Sequence, residues 1–114
     1  MAVIAANSRA TLNGGAVTKT TTTASDTLVY NANTGQILEL FNSTGGSLTL
    51  VLKGNQATSF NVPGYGSVDV SAGKSFVVAA SATVAINLDN FVKYLAGTSV
   101  LATGAAGLTA VLYN

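Results

Sequence analysis

Residues 71–75, Ser71-Ala72-Gly73-Lys74-Ser75, end like a nucleotide-binding P-loop. In that motif a glycine five positions before the Gly of Gly-Lys-Ser lets backbone N–H groups curl around a phosphate. Here that position is Val68, and Gly64 and Gly66 are out of register. Gly64-Tyr65-Gly66 also begins the dinucleotide pattern G-x-G-x-x-G, but its third glycine position is Asp69. Neither phosphate motif is complete. Gly73-Lys74 reads instead as a tight turn between two strands, the Gly supplying a positive φ and the Lys a solvated tip.

The groups left for acid–base chemistry are few. The chain has no His and no Cys, so it holds no imidazole base, thiolate, disulfide or Ser–His triad. Its four carboxylates are Asp26, Glu39, Asp69 and Asp89. Glu39 and Asp69 fall on strands that could pair into a dyad, but a glycosidase also needs an aromatic-lined cleft, and there is no Trp. Both read as solvated strand faces. Lys74 and Ser75 are adjacent, so on a strand they point to opposite faces. Asp26 with Asn31 and Asn33 is a loose oxygen set for Ca²⁺, without EF-hand spacing. The threonines at 20–23 lack the repeat that an ice-ordering array needs and read as an edge strand or arm. Asn42-Ser43-Thr44 matches a glycosylation acceptor but reads as a turn. No catalytic residue, cofactor-binding residue or metal ligand is assigned, no cofactor is expected, and the chain is expected not to be an enzyme.

A chain of 114 residues fits one domain. Only 8% of them are charged, against 48% hydrophobic, and the net charge is +1. A free monomer usually keeps a charged surface, because low net charge promotes association. This chain covers itself with Thr, Ser, Asn, Gly and Ala, a surface that loses little hydration when covered. We therefore expect a surface that copies or partners bury. No apolar run reaches the roughly 18 residues of a membrane span, and the first seven residues have no basic leader. Arg9, Lys19, Lys53, Lys74 and Lys93 are scattered singly, so neither a membrane nor a nucleic acid is expected as a partner.

The middle of the chain alternates as strands do. Leu38 and Leu40 share one face of a strand over 36–42, and Leu48, Leu50 and Leu52 share one face of a strand over 47–53. The Gly-rich loop at 42–46 predicts that these two strands form a β-hairpin. Residues 60–62 and 67–70 flank a turn containing Pro63, the single proline. Residues 75–80 form a further strand, and Val84, Ile86 and Leu88 point inward from the next. Leu88, Phe91, Val92 and Leu95 then fall at helical spacing. Asn87 or Asp89 is its cap, Asp89 and Lys93 are i,i+4 partners and Gly97 is its stop; a strand through Phe91, Lys93 and Leu95 is the alternative.

The expected fold is mainly all-β: a small antiparallel β-sandwich or barrel-like domain with one short helix near 88–96 and extended termini. Residues 1–25 read as an N-terminal arm or edge hairpin, 26–97 as the β core, and 98–114 as a C-terminal strand and tail. A free arm would be removable without unfolding the core. Tyr65, framed by Pro63, Gly64 and Gly66, is the best single contact residue, and Val17, Thr21, Leu108 and Tyr113 are further interface candidates from the two ends.

Three segments, LELFNSTGGSLTLVLKG (38–54), FNVPGYGSVDVSAGKSFVV (60–78) and INLDNFVKYLAGTSVLATG (86–104), resemble the small β-rich decoration, or cement, proteins of tailed bacteriophage heads. The resemblance is one of style over the central two thirds of the chain: few reactive residues, Gly/Thr/Ala surfaces and proline-glycine turns. It implies a virion structural protein made in the host cytoplasm and carried on the capsid exterior. Its partner would be the major capsid protein, and it would form a homo-oligomer, a trimer by preference, bridging neighbouring capsomers. The resemblance further implies that residues 1–25 and 101–114 become ordered on the shell. Other readings are a head-fibre base, a tail or head–tail connector part, or a carbohydrate-binding or adhesin module.

Overall fold

Leu38, Leu40, Leu50 and Leu52 have no exposed surface, and they meet between two sheets rather than within one. The computed structural model describes residues 2–8 and 13–114; Arg9 and the parts of the N-terminal arm at 1 and 9–12 lie outside the described residues. The strands are β1 (Ala2–Val3), β2 (Ala6–Asn7), β3 (Thr20–Thr21), β4 (Ser25–Val29), β5 (Ile37–Asn42), β6 (Leu48–Gly54), β7 (Ser59–Val62), β8 (Gly66–Asp69), β9 (Lys74–Val78), β10 (Thr83–Asn87), β11 (Ser99–Thr103) and β12 (Leu108–Tyr113). One sheet runs β1-β4-β11-β6-β9; the other runs β10-β5-β12, with β2 and β3 both along the far edge of β12. β7 and β8 form a separate hairpin. The fold is mainly β and sandwich-like, as the alternation predicts. Its pairings are antiparallel except for β1 with β4 and β2 with β12.

The predicted hairpin over 36–53 is corrected. β5 and β6 lie in different sheets, and the loop between them arches over the end of the core. Alternation is equally satisfied by a hairpin and by an arch, since both turn the leucine rows inward. Asn42 decides for the arch. It occupies the inward phase after Leu38 and Leu40 and is fully buried. Its amide donates to Gly46 O at 2.8 Å and to Val78 O at 2.9 Å, and its Oδ1 accepts from Thr44 N–H at 2.9 Å and Thr44 Oγ1–H at 2.6 Å. One side chain thus organises the loop and ties it to β9 of the opposite sheet.

The helix expected near 88–96 is a single 3-10 turn, Leu88–Phe91, followed by hydrogen-bonded turns. Asn87 caps it, accepting from Asp89 N–H at 3.2 Å. Leu88 and Leu95 are buried in the core and Phe91 packs half-buried against it, but Val92 is 42% exposed, because the backbone takes a tighter path than the helical spacing assumed.

Both termini pair within the chain. β1 extends one sheet, Ile4 enters the core at 2% exposure with its N–H on Thr27 O, and β2 then extends the other sheet. The N-terminal segment therefore closes one flank of the sandwich. Thr22 is buried beside it, its hydroxyl donating to Ala105 O and accepting from Leu108 N–H. Residues 98–114 supply an interior strand to each sheet, β11 between β4 and β6 and β12 between β5 and the N-terminal strands.

Candidate interaction surface

The outward positions of the β1-β4-β11-β6-β9 sheet are nearly free of charge. Cross-strand pairing lines up Val3, Thr27, Leu101 and Lys53 in one row, with Val29 beside Ser99 in the next. On the far strands Val77 stands opposite Thr49 and Ser75 opposite Val51. Val3 is 66% exposed, Val77 64%, Val29 55% and Leu101 37%. Lys53 is the one charged side chain at these outward positions. A shallow groove of about 320 Å³, lined by Thr27, Lys53, Asn55, Ser99 and Leu101, runs across this face. Dispersed single apolar residues are ordinary on a surface; here four share one sheet face with a single charge, spaced by Thr27, Thr49 and Ser99 into a loose patch.

Tyr65 crowns the β7–β8 hairpin and is 80% exposed. Gly64 and Gly66 take positive φ values of 80° and 113°, which a residue with a Cβ rarely adopts, and the turn closes with Tyr65 N–H on Val62 O. Thr21 is exposed on β3, Val17 is half-buried just before it, and Tyr113 is half-buried at the end of β12. Leu108, on β12, has no exposed surface and belongs to the core. Thr21, Leu108 and Tyr113 are thus gathered along β12, and Tyr65 is set apart from them on its own hairpin. The patch residues Val3, Val29, Val77 and Leu101 were not singled out in the sequence. Their signal is phase: Val29 alternates against the buried Leu28 and Tyr30, and Leu101 against the buried Val100 and Ala102.

Three of the four carboxylates, Asp26, Asp69 and Asp89, are engaged in structure. Burial works to raise the Asp26 pKa, but hydrogen bonds from the Thr23 hydroxyl, Thr23 N–H and Ala2 N–H outweigh it and hold the carboxyl below its ordinary value. Asp89 accepts from the Tyr30 hydroxyl at 2.8 Å, Gly35 N–H at 2.9 Å and Asn33 N–H at 3.0 Å, which lowers its pKa in that order of effect. Asp69 is lowered by hydrogen bonding from Ser71. Asp26 and Asn33 therefore serve separate clusters, and Asp89 clamps the 31–35 loop rather than acting simply as a helix cap. Glu39 and Asp69 do not lie on paired strands: among the described residues β5 pairs with β10 and β12, and β8 with β7. No group of three or more potential metal-ligating acids is found among the described residues. Gly73 has its expected positive φ of 78°, but Lys74 is half-buried, its Nζ 6.0 Å from the Tyr94 ring centroid, and is not a solvated tip.

The second concave feature lies on the flank opposite the N-terminal strand. There β9 ends one sheet and β10 the other, and a cleft of about 450 Å³ opens between them. Phe76, Val84, Ile86 and Phe91 give it an apolar lining, and Ser75, Asn87 and Asn90 add neutral polar groups. Phe76 and Phe91 meet edge to face at 5.1 Å. Comparison of the chain with protein families, with curated proteins and with solved structures finds no match.

Proposed function

We propose that this chain is a non-enzymatic virion structural protein that decorates the outer surface of an assembled phage capsid and stabilises it by bridging neighbouring capsomers. The observation that carries the reading is the outer sheet face bearing Val3, Val29, Val77 and Leu101, on which Lys53 is the single charge. Such a face is easily desolvated and makes contacts that salt screens little. The resemblance of segments 38–54, 60–78 and 86–104 to decoration proteins supplies the capsid as the partner. Structural engagement of Asp26, Asp69 and Asp89 agrees with a role in which no proton is moved.

The mechanism is mass action. A protein that binds the assembled lattice and not the free subunit stabilises the lattice by RT ln(1 + [L]/Kd) per site, summed over many sites. Because β1, β2, β11 and β12 are ordered within the chain, a preformed face docks, without the ordering cost of a free arm. Co-sedimentation with expanded, empty phage shells tests the proposal. Saturable binding that persists at high salt is expected, and a chain that stays in the supernatant at all salt concentrations overturns it.

A further inference from the structure

The free edge of β10 carries an inference that does not depend on capsid binding. Among the described residues β10 pairs on one side only, with β5. Just beyond the ladder's two ends, Asn42 N–H donates to Ala82 O at 2.9 Å and Leu88 N–H donates to Gln36 O at 3.0 Å. These bonds fall in the same register as the pairs Val84↔Leu40 and Ile86↔Leu38. In an antiparallel ladder alternate residues bond to a given neighbour. Val84 and Ile86 therefore turn their N–H and C=O toward β5, as do Ala82 O and Leu88 N–H, and Thr83, Ala85 and Asn87 turn theirs away from it.

A sheet edge with outward N–H and C=O groups accepts an extended strand. We propose that the occupant is a second copy of this chain, with β10 pairing antiparallel to β10 of that copy about a two-fold axis at Ala85. In this register Thr83 faces Asn87 of the copy, Ala85 faces Ala85, and Asn87 faces Thr83. All the outward-bonding residues then oppose one another, and each of these pairs exchanges two backbone hydrogen bonds. Val84 and Ile86 of opposite copies meet on the inner face, a favourable cross-strand pairing of branched side chains.

Charge and shape agree with self-pairing. β10 contains no charged residue, so the two-fold opposes no like charges, and the net charge of each copy is only +1. The strand also lacks the Lys or Pro that commonly protects an edge. A two-fold perpendicular to the sheet brings the two open flanks together. The cleft lined by Phe76, Val84, Ile86 and Phe91 then faces its own copy, and the free β9 edges approach one another. One operation covers the flank that the N-terminal strand leaves open.

Two variants and the mass of the wild-type chain test this. Light scattering is expected to give twice the 11.4 kDa chain mass. Ala85→Pro removes an N–H that β5 does not use, a position at which an edge tolerates proline; it is expected to give the single-chain mass with an unchanged β-type circular dichroism spectrum. Ala85→Cys introduces the only thiol in the chain. Opposed Cα atoms of a hydrogen-bonded pair are about 5.5 Å apart, within disulfide reach. It is expected to cross-link to a covalent dimer under mild oxidation, with Ser43→Cys, in the exposed arch loop, as the control that does not. If Ala85→Pro fails to fold, the cysteine pair decides alone. A wild-type mass of one or three copies, or equal cross-linking of the two cysteine variants, overturns the inference. A three-copy mass leaves the decoration proposal standing, whereas a dimer that ignores phage shells removes that proposal and leaves this one.

Discussion

The Tyr30 hydroxyl donates to Asp89 Oδ1 at 2.8 Å, joining the end of β4 in one sheet to the 3-10 turn that follows β10 in the other. Tyr30 is 3% exposed, and its partner also holds Asn33 and Gly35 N–H groups, so one carboxylate fastens two sheets and a loop. Burial, the hydrogen bond to Asp89 and the charge of Asp89, in that order, push the Tyr30 pKa from 10.0 to about 12.

Stability should therefore fall at both ends of the pH scale. For Tyr30 the folded pKa is raised, so its contribution is complete below pH 10.0 and is lost as pH rises toward about 12. For Asp89 the folded pKa is depressed below 3.8, so its contribution is present above that value and is lost as pH falls through the folded pKa. Tyr30→Phe should cost about 1.5–3 kcal/mol at neutral pH, the range for a hydrogen bond to a charged group. It should also remove most of the alkaline decline. Urea midpoints of both proteins from pH 2 to 12 measure this; parallel alkaline curves would show that Tyr30 does not titrate as described.

Asn42→Ala should be among the most destabilising substitutions. It leaves the buried Val78 O without its partner and takes the acceptor from Thr44 N–H, while Gly46 O keeps the Thr44 hydroxyl. At about 1–3 kcal/mol for a buried group left unpaired, a loss of that order is expected. Asn42→Asp should not rescue it, because a carboxylate accepts but cannot donate to two carbonyls. Chemical denaturation of the three proteins tests this, and an Asp variant equal to wild type would contradict it.

Gly54→Ala and Gly45→Ala should differ sharply. A Cβ on Gly54 would run into the backbone of Leu95 and Ala96, which cannot move without dragging the 3-10 region, whereas one on Gly45 meets nothing within 4 Å. The first should cost about 3 kcal/mol, the upper end of forced overpacking, because backbone is what it meets, and the second less than about 0.5 kcal/mol. Thermal melts of the pair decide it.

Residues near the N-terminus should prove integral to the domain. Ile4→Ala should cost about 2–5 kcal/mol, the range for a buried large-to-small change. A chain lacking residues 1–22 loses Ile4 and Thr22 from the interior and uncovers the edges of β4 and β12. It should lose cooperative unfolding in calorimetry. A truncated chain that melts like the full one would restore the picture of a dispensable arm.

What the sequence made legible was local phase. Leucines at 38, 40, 48, 50 and 52 announced strands and their buried faces, and the 63–66 turn announced the β7–β8 hairpin. Phase does not say which sheet a strand joins. The loop at 42–46 has hairpin composition, and the contact that makes it an arch, Asn42 to Val78 O, spans 36 residues. The parallel pairing of β1 with β4 and of β2 with β12 is equally non-local, so the Ala- and Thr-rich ends read as arms. The candidate surface followed the same division. Tyr65 was visible because its frame is local. The apolar patch and the β9–β10 cleft come together only when β1, β4, β11 and β9 take their places. Asn42, a polar residue at an inward position, was the one local hint of the arch.

The most direct test of the proposed function is a shell-binding isotherm for the wild-type chain and Leu101→Asp. Leu101 sits on the middle strand of this face, opposite its single charge Lys53, and its side chain is outside the core, so a charge there should leave the fold intact. Wild type is expected to co-sediment saturably with expanded phage shells in low and high salt, and Leu101→Asp to bind at least about 10-fold more weakly, a cost of about 1.4 kcal/mol. Equal binding of the two proteins, or binding by neither, would contradict the assignment of this face to capsid decoration.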